Sequence, residues 1–267
     1  MRVPVFHATV RDGDDVVRLL AGDDVARRRG CRITDPRHRD GPATGARITD
    51  PRHRDAHLTG QVLLQVVVAP LVGLAPGRLV LDRTCRRCGG PHGKPRVPGA
   101  DLDLSLTYAG GTVLLAVSPR HRPLVGLDAE PRRPPPGLAA DPAGDGTLAR
   151  EVLGPTEHRE WLALPAGARS TALVRWWTRK EAVLKALGHG LSVPPRALRV
   201  SPPGGPPRLL AWDADLAGAD LAAVPVALAD VDLPTVAGTL AAVGVTTVEP
   251  DLQDADPRLS AASLTRW

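Results

Sequence analysis

The sequence predicts a protein of mixed helices and strands with a break near its middle, and three observations predict it. Residues 102–107 alternate apolar and polar side chains and, with the apolar run 112–117, flank Gly110-Gly111, the pattern of a β-hairpin. Residues 170–188 instead place Leu173, Trp176, Leu184 and Leu187 at helical spacing, the stripe that holds a helix against a core. Between the two, residues 131–146 are rich in proline and glycine and read as a linker or exposed loop.

Length and composition allow one large domain or two smaller ones. The 267 residues are 43% hydrophobic, enough to bury a core. No run of eighteen apolar residues is present, and the N-terminus lacks the pattern of a secretory signal, so no membrane association and a cytoplasmic location are expected. Three cysteines do not make a disulfide framework. The net charge of +5 is unevenly spread. Residues 27–55 carry nine arginines against four aspartates, whereas 211–257 carry nine acids and no Lys or Arg. A polyanionic or acidic partner suits the N-terminal part. Nucleic acid is not expected, because aromatic residues are 3% and none interleaves with the arginines to stack on bases.

Taken in order, the chain opens with an expected strand at 3–10. An identical repeat follows: Arg32-Ile33-Thr34-Asp35-Pro36-Arg37-His38-Arg39-Asp40 recurs at 47–55. Two copies do not make a solenoid, so a local duplication is the simpler account. Each offers Asp as N-cap and Pro at the first helical position. Only the second copy precedes helical spacing, where Leu58, Val62 and Val66 run with Leu63 and Val67 up to Pro70. Residues 85–95 then read Cys85-Arg86-Arg87-Cys88-Gly89-Gly90-Pro91-His92-Gly93-Lys94-Pro95. Two thiols and an imidazole at this spacing read either as a metal knuckle one ligand short of a tetrahedron or as a loop of reduced thiols. Lys94, between a flexible and a rigid residue, is suited to presenting charge to phosphate.

A third strand is expected at 124–130, where a period of two puts Asp128 and Glu130 on one face. Neighbouring carboxylates repel unless a cation neutralises both, so the pair reads as half of a divalent-metal site, with Mg²⁺ the ion that suits few oxygen ligands, or else as a solvated strand face. Helices are expected at 147–153, 156–164 and 170–188, and strands at 198–200, 209–213, 224–231 and 236–243. On the last helix Trp177, Glu181 and Lys185 fall four residues apart, so aromatic, carboxylate and ammonium stack on one side. Taken alone, Glu181 and Lys185 read as an ordinary ion pair.

In order and spacing these pieces resemble the Sfp-type 4'-phosphopantetheinyl transferases over about residues 47–243. Val125-Gly126-Leu127-Asp128-Ala129-Glu130 is similar to the family's G-(V/I)-D-x-E strand, and Trp177 to Lys185 to its W-(S/T)-x-K-E-A-x-x-K helix. The resemblance implies two similar α+β subdomains in tandem, pseudo-twofold, with the active site in the cleft between them. The implied halves are 1–122, the coenzyme A side with the duplicated basic segment, and 123–245, with the metal site and signature helix. Residues 246–267 would form a disordered tail.

The resemblance further implies transfer of 4'-phosphopantetheine from coenzyme A to a serine of an acyl or peptidyl carrier protein, with Mg²⁺ as cofactor and 3',5'-ADP released, by a monomer. Asp128, Glu130 and Glu181 would hold Mg²⁺. Glu181, Lys185 and Lys180 would act in catalysis, and Lys94, Pro95, Ser105, Trp177 and Arg54 would line the coenzyme A site. The chain departs from the family at Leu106, where a histidine is usual, and at Gln65, where an arginine is usual. Those departures motivate an alternative: a catalytically impaired relative that binds coenzyme A or carrier protein without turnover.

Overall fold

The structure is a computed structural model that describes residues 5–9, 51–85, 88–119, 124–132, 146–217, 224–231 and 239–246. The first copy of the duplicated segment, most of the linker and nearly all of the expected tail lie outside the described residues.

Two three-stranded antiparallel sheets organise these residues. The first is built from β1 (Val5–Thr9), β2 (Leu102–Ala109) and β3 (Thr112–Pro119), ordered β1-β3-β2. Its β2–β3 hairpin turns through Gly110 and Gly111, both at positive φ, as a tight connection requires. Helix α1 (Pro51–Leu71) packs on this sheet, burying Leu63, Leu64, Val67 and Val68 with Leu104, Val113 and Leu115. Pro51 opens the helix as expected. Pro70 sits in its last turn, where the chain is about to leave the helix.

The second sheet contains β4 (Val125–Pro131), β7 (Val226–Val231) and β8 (Thr239–Thr246), ordered β4-β8-β7. Across it lies the long helix α4 (Ala166–Leu187), preceded by α2 (Thr147–Val152) and α3 (Pro155–Leu162). A short hairpin of β5 (Leu198–Val200) and β6 (Leu209–Trp212) and a single turn, α5 (Ala214–Ala217), complete the elements. Helix α4 begins at Ala166, after Pro165, four residues earlier than Ser170, so Ser170 is not its cap. Its end is as read: Gly188 adopts the left-handed conformation, and the amides of Gly188 and His189 return to the carbonyls of Lys185 and Leu184, closing a Schellman motif.

One glycine pair sets how closely α4 approaches its sheet. Gly126 and Gly244 are cross-strand partners on β4 and β8. A Cβ on Gly126 would collide with the backbone of Ala182 and Ala186, including Ala186 Cα at 2.8 Å, and one on Gly244 would lie 3.0 Å from the Ala182 carbonyl oxygen. The helix backbone therefore rests almost directly on the sheet. This brings the polar side of α4 level with the carboxylates of β4.

The two sheets meet along β2 and β4, not by backbone pairing but through side chains spaced two apart on β2. Asp103 Oδ2 accepts from the Val125 amide at 2.8 Å, Ser105 Oγ accepts from the Leu127 amide at 2.9 Å, and Thr107 Oγ1 donates to Asp128 Oδ1 at 3.4 Å. An apolar cluster of Val5, Leu114, Ala116, Val125, Leu127 and Ala129 covers this seam. The mixed α+β expectation is met.

Candidate active site

Because β4 lies under α4, Asp128 and Glu130 from the strand and Trp177, Glu181 and Lys185 from the helix come to one place. Period two on β4 and period four on α4 each put their polar members on the facing side, which is why both rows were legible separately. Lys185 Nζ donates to Asp128 Oδ1 at 2.5 Å, and Trp177 Nε1 donates to Glu130 Oε1 at 3.3 Å. Lys185 is thus paired with Asp128 rather than held as an isolated i,i+4 pair with Glu181.

The electrostatics are lopsided. Burial pushes the Asp128 carboxyl above its ordinary range, and Lys185 pulls it back only in part. Burial also works against the Lys185 ammonium, yet Asp128, Glu181 and Glu130 together hold its pKa above the usual lysine value. Lys185 thus lies in the field of all three carboxylates. Asp128 Oδ2 is also buried with no hydrogen-bond partner, an acceptor with nothing to accept. Neighbouring carboxylate oxygens and an open one at Asp128 suit Mg²⁺. The three carboxylates are not drawn into a tight ligand cluster: among the described residues, the trio whose ligand atoms all lie within 4.8 Å of one another is Cys85, Cys88 and His92.

Several residues expected in the site are placed elsewhere. Lys180 does not face a ligand: it is fully buried, donating to Glu157 Oε2 at 2.5 Å and to the Val152 carbonyl at 2.8 Å. Glu157 in turn accepts from the amides of Gly154 and Val200, so the pair ties α4 to the start of α3 and to β5. Burial pushes the Lys180 pKa down to about 8, against the pull of Glu157. Position 180 follows Arg179 into the core because the helix is covered on more than one side.

Lys94 is corrected in the same way. Its ammonium donates to Asp103, to the Val125 carbonyl at 2.8 Å and to the Ala186 carbonyl at 3.2 Å, which engages all three of its protons. It binds β2, β4 and the last turn of α4 together, where a cation also complements the helix C-terminus. Ser105 is buried in the β2–β4 seam, where it too serves the fold. Pro95 follows Lys94, half-buried, and Arg54 lies exposed in the first turn of α1, with its Nε 3.7 Å from Asp55. Gln65 has a structural task of its own, holding residues 77–79 through the amides of Gly77 and Leu79 and the Leu79 carbonyl.

Residue-level reading missed Asp103, Glu157 and the Arg179–Asp230 pair. Arg179 donates to both carboxylate oxygens of Asp230, at 2.9 and 2.7 Å, and to the carbonyls of Ser201, Pro202 and Gly205. Arg175 joins Asp230 at 2.6 Å. For Asp103 a signal was available: the alternation Asp103, Ser105, Thr107 marks a polar face, and it meets β4 instead of water.

Comparison with known proteins now bears on this site. Residues 124–229, which contain β4 and α4, match the model of the 4'-phosphopantetheinyl transferase superfamily. Among individual relatives, the chain is 28% identical over 178 residues to the 4'-phosphopantetheinyl transferase HetI of Nostoc sp., covering 67% of this chain and 63% of the relative. It is 32% identical over 130 residues to the 4'-phosphopantetheinyl transferase AcpT of Salmonella typhimurium, 48% of this chain and 56% of that one. The Bacillus subtilis 4'-phosphopantetheinyl transferase is 26% identical over 136 residues, 51% of this chain and 53% of the relative. The chain thus spans between about half and five-eighths of these curated relatives. The holo-[acyl-carrier-protein] synthase of Neisseria meningitidis aligns with 46% of the chain and 97% of its own, with a TM-score of 0.37 and 22% identity. Among the described residues, no helix is long and apolar enough to cross a membrane.

Proposed function

We propose that the protein transfers 4'-phosphopantetheine from coenzyme A to a serine of an acyl or peptidyl carrier protein, releasing 3',5'-ADP. The observation that carries this reading is the set Asp128, Glu130 and Glu181 around one lysine, inside the segment that matches the transferase superfamily model. In this reading the cleft lies where β4 and α4 meet the first sheet, and the chain divides into two α+β halves near residue 122.

Asp128, Glu130 and Glu181 would hold Mg²⁺, which when bound supplies positive charge to the oxygens of the coenzyme A pyrophosphate. The remaining work belongs to the chain. Glu181 takes the proton from the carrier serine hydroxyl, since a serine is a weak nucleophile until a base removes it. The serine oxygen forms a bond to the β-phosphorus as the bond from that phosphorus to 3',5'-ADP breaks. Lys185 Nζ turns from Asp128 toward the charge gathering on the phosphoryl oxygens, and the Trp177 indole, held by Glu130, walls the same side. No covalent enzyme intermediate is involved. The acidic surface typical of a carrier would be drawn to the basic N-terminal part.

The test is to incubate the chain with Mg²⁺, coenzyme A and a panel of apo-carrier proteins and to weigh the carriers by mass spectrometry. A phosphopantetheine adduct supports the reading, and its absence from every carrier with folded protein refutes it. Glu181→Gln should abolish the adduct while preserving the fold. Coenzyme A binding without any adduct would instead favour an impaired relative, the reading motivated by Leu106 and Gln65.

A further inference from the structure

The hairpin that ends in Lys94 carries a group of side chains with no part in the transfer reaction. Its two limbs are joined at Asp82 and Arg96 by a pair of backbone hydrogen bonds of 2.8 Å each. Inside it, the Gly89 amide returns to the Cys85 carbonyl at 2.9 Å and the Cys85 amide to the Gly90 carbonyl at 2.8 Å, a tight knuckle closed at Gly89 with φ of 73°. The knuckle directs Cys85 Sγ, Cys88 Sγ and the His92 imidazole to one point, where the ligand atoms all lie within 4.8 Å of one another and Cys88 Sγ is 2.9 Å from His92 Nε2. Gly90 is what permits that approach. A Cβ there would lie 3.0 Å from His92 Cδ2 and 3.4 Å from Cys88 Sγ.

We propose that Cys85, Cys88 and His92 bind a zinc ion. Two thiolates and an imidazole form a soft donor set that selects zinc over magnesium or calcium. Zinc–ligand bonds of about 2.0–2.3 Å give a tetrahedron with edges of roughly 3.5–3.8 Å, a scale that suits ligand atoms all within 4.8 Å of one another. Neither cysteine is joined in a disulfide, Cys85 is half-buried and Cys88 and His92 are exposed, so the ion has access. The three protein donors leave the fourth position to a solvent molecule.

The site also has a consequence for the fold. Gly93 packs where a Cβ would strike the Thr84 backbone, and its amide bonds the Arg83 carbonyl at 2.6 Å, so the segment from His92 to Lys94 is fixed against the opposite limb of the hairpin. Zinc at His92 clamps the segment two residues before the lysine that joins β2, β4 and α4. The ion is thus a structural clamp on the seam between the sheets, independent of the transferase reading.

The experiment uses the full chain purified without chelator or histidine tag. Elemental analysis should recover one zinc per chain, and replacement by Co²⁺ should give the strong visible bands of a tetrahedral ion with thiolate-to-cobalt charge transfer. Cys85→Ser and Cys88→Ser should each lose stoichiometric metal and weaken the charge-transfer band. His92→Gln should release zinc to a competing chelator that the wild-type chain resists. Titrating Co²⁺ into chelator-treated wild-type protein, with its fold checked by circular dichroism, keeps the test open should a variant fail to fold. A reduced, folded wild-type chain that binds neither zinc nor cobalt, or a Cys88→Ser chain that keeps full metal content, would overturn the proposal.

Discussion

The ammonium of Lys185 lies 2.5 Å from Asp128 Oδ1, at the place where the charges of Glu130 and Glu181 also act on it. A lysine here partly neutralises the cluster in the absence of a divalent ion. Lys185→Met leaves the buried Asp128 carboxylate without its cation, a loss of about 3 kcal/mol, at the lower end of the range for breaking a buried pair because Lys185 is 29% exposed. The Asp128 pKa is already raised by burial, so the folded state holds that proton more tightly than the unfolded chain does. Stability from this group is gained as pH falls through the raised folded value and lost as pH rises. The deficit of Lys185→Met should therefore be largest at neutral pH and shrink on acidification, as read by urea denaturation at several pH values.

The same relationship predicts a competition. Mg²⁺ should raise the melting temperature of Lys185→Met more than that of the wild type, because the ion no longer has to displace an ammonium. Asp128→Asn should abolish the effect in both backgrounds. Equal melting curves with and without Mg²⁺ in all of these proteins would refute the assignment of the carboxylates.

Lys180 and Glu157 offer a second test, in the core. Lys180→Met should cost about 3–5 kcal/mol by leaving a buried carboxylate unpaired, and the double change Lys180→Met with Glu157→Gln should recover a measurable part of that. The folded pKa of Lys180, about 8, lies below the ordinary lysine value of 10.5, so the unfolded chain binds more protons between them. Wild-type stability should thus rise relative to Lys180→Met as pH increases across that interval. A difference that is flat with pH would contradict the buried, readily deprotonated lysine.

How far the sequence reveals this molecule depends on whether a residue's partner is local. Asp128 with Glu130, and Trp177 with Glu181 and Lys185, are spaced by the period of their own strand or helix, so their shared faces were readable. The Schellman stop at Gly188 was readable for the same reason. The protein partners of Lys94, Ser105 and Lys180 were not legible, because a charged or polar side chain is ordinarily exposed. Their partners lie far along the chain: Ala186 is 92 residues from Lys94, and Glu157 is 23 from Lys180. No local pattern records such pairings. Residues 102–107 show the limit clearly, since an apolar and polar alternation predicts a strand with two unlike faces but does not say that the polar face will meet another strand.

Arg179 ties α4 to Asp230 on β7 and to the 201–205 turn through five donors in a planar fork. Lysine keeps the charge but not the fork. Arg179→Lys should therefore lower stability by roughly 2–4 kcal/mol, close to the loss from Arg179→Met, since either change leaves the buried Ser201 carbonyl and part of the Asp230 carboxylate unsatisfied. Chemical denaturation of the two variants would measure this, and a lysine variant as stable as wild type would show that charge alone suffices.

The closest test of the site's architecture is a single methyl group. At Gly126 the backbone of α4 occupies the place of a side chain, and the obstructing atoms at Ala182 and Ala186 belong to the helix main chain, which cannot rotate away. Overpacking a core costs about 1–3 kcal/mol when side chains can adjust, so Gly126→Ala should cost more than that. Gly244→Ala, with its nearest neighbour at 3.0 Å, should cost less. The two glycines face one another across β4 and β8, so the helix must lift for either change. Lifting α4 also carries Glu181 and Lys185 away from Asp128. At a temperature where Gly244→Ala remains folded, transfer activity should therefore fall further than its loss of stability accounts for, with Mg²⁺-dependent stabilisation reduced in step. A Gly244→Ala protein with full activity and unchanged Mg²⁺ response would show that the height of the helix above the sheet does not set the geometry of the carboxylates.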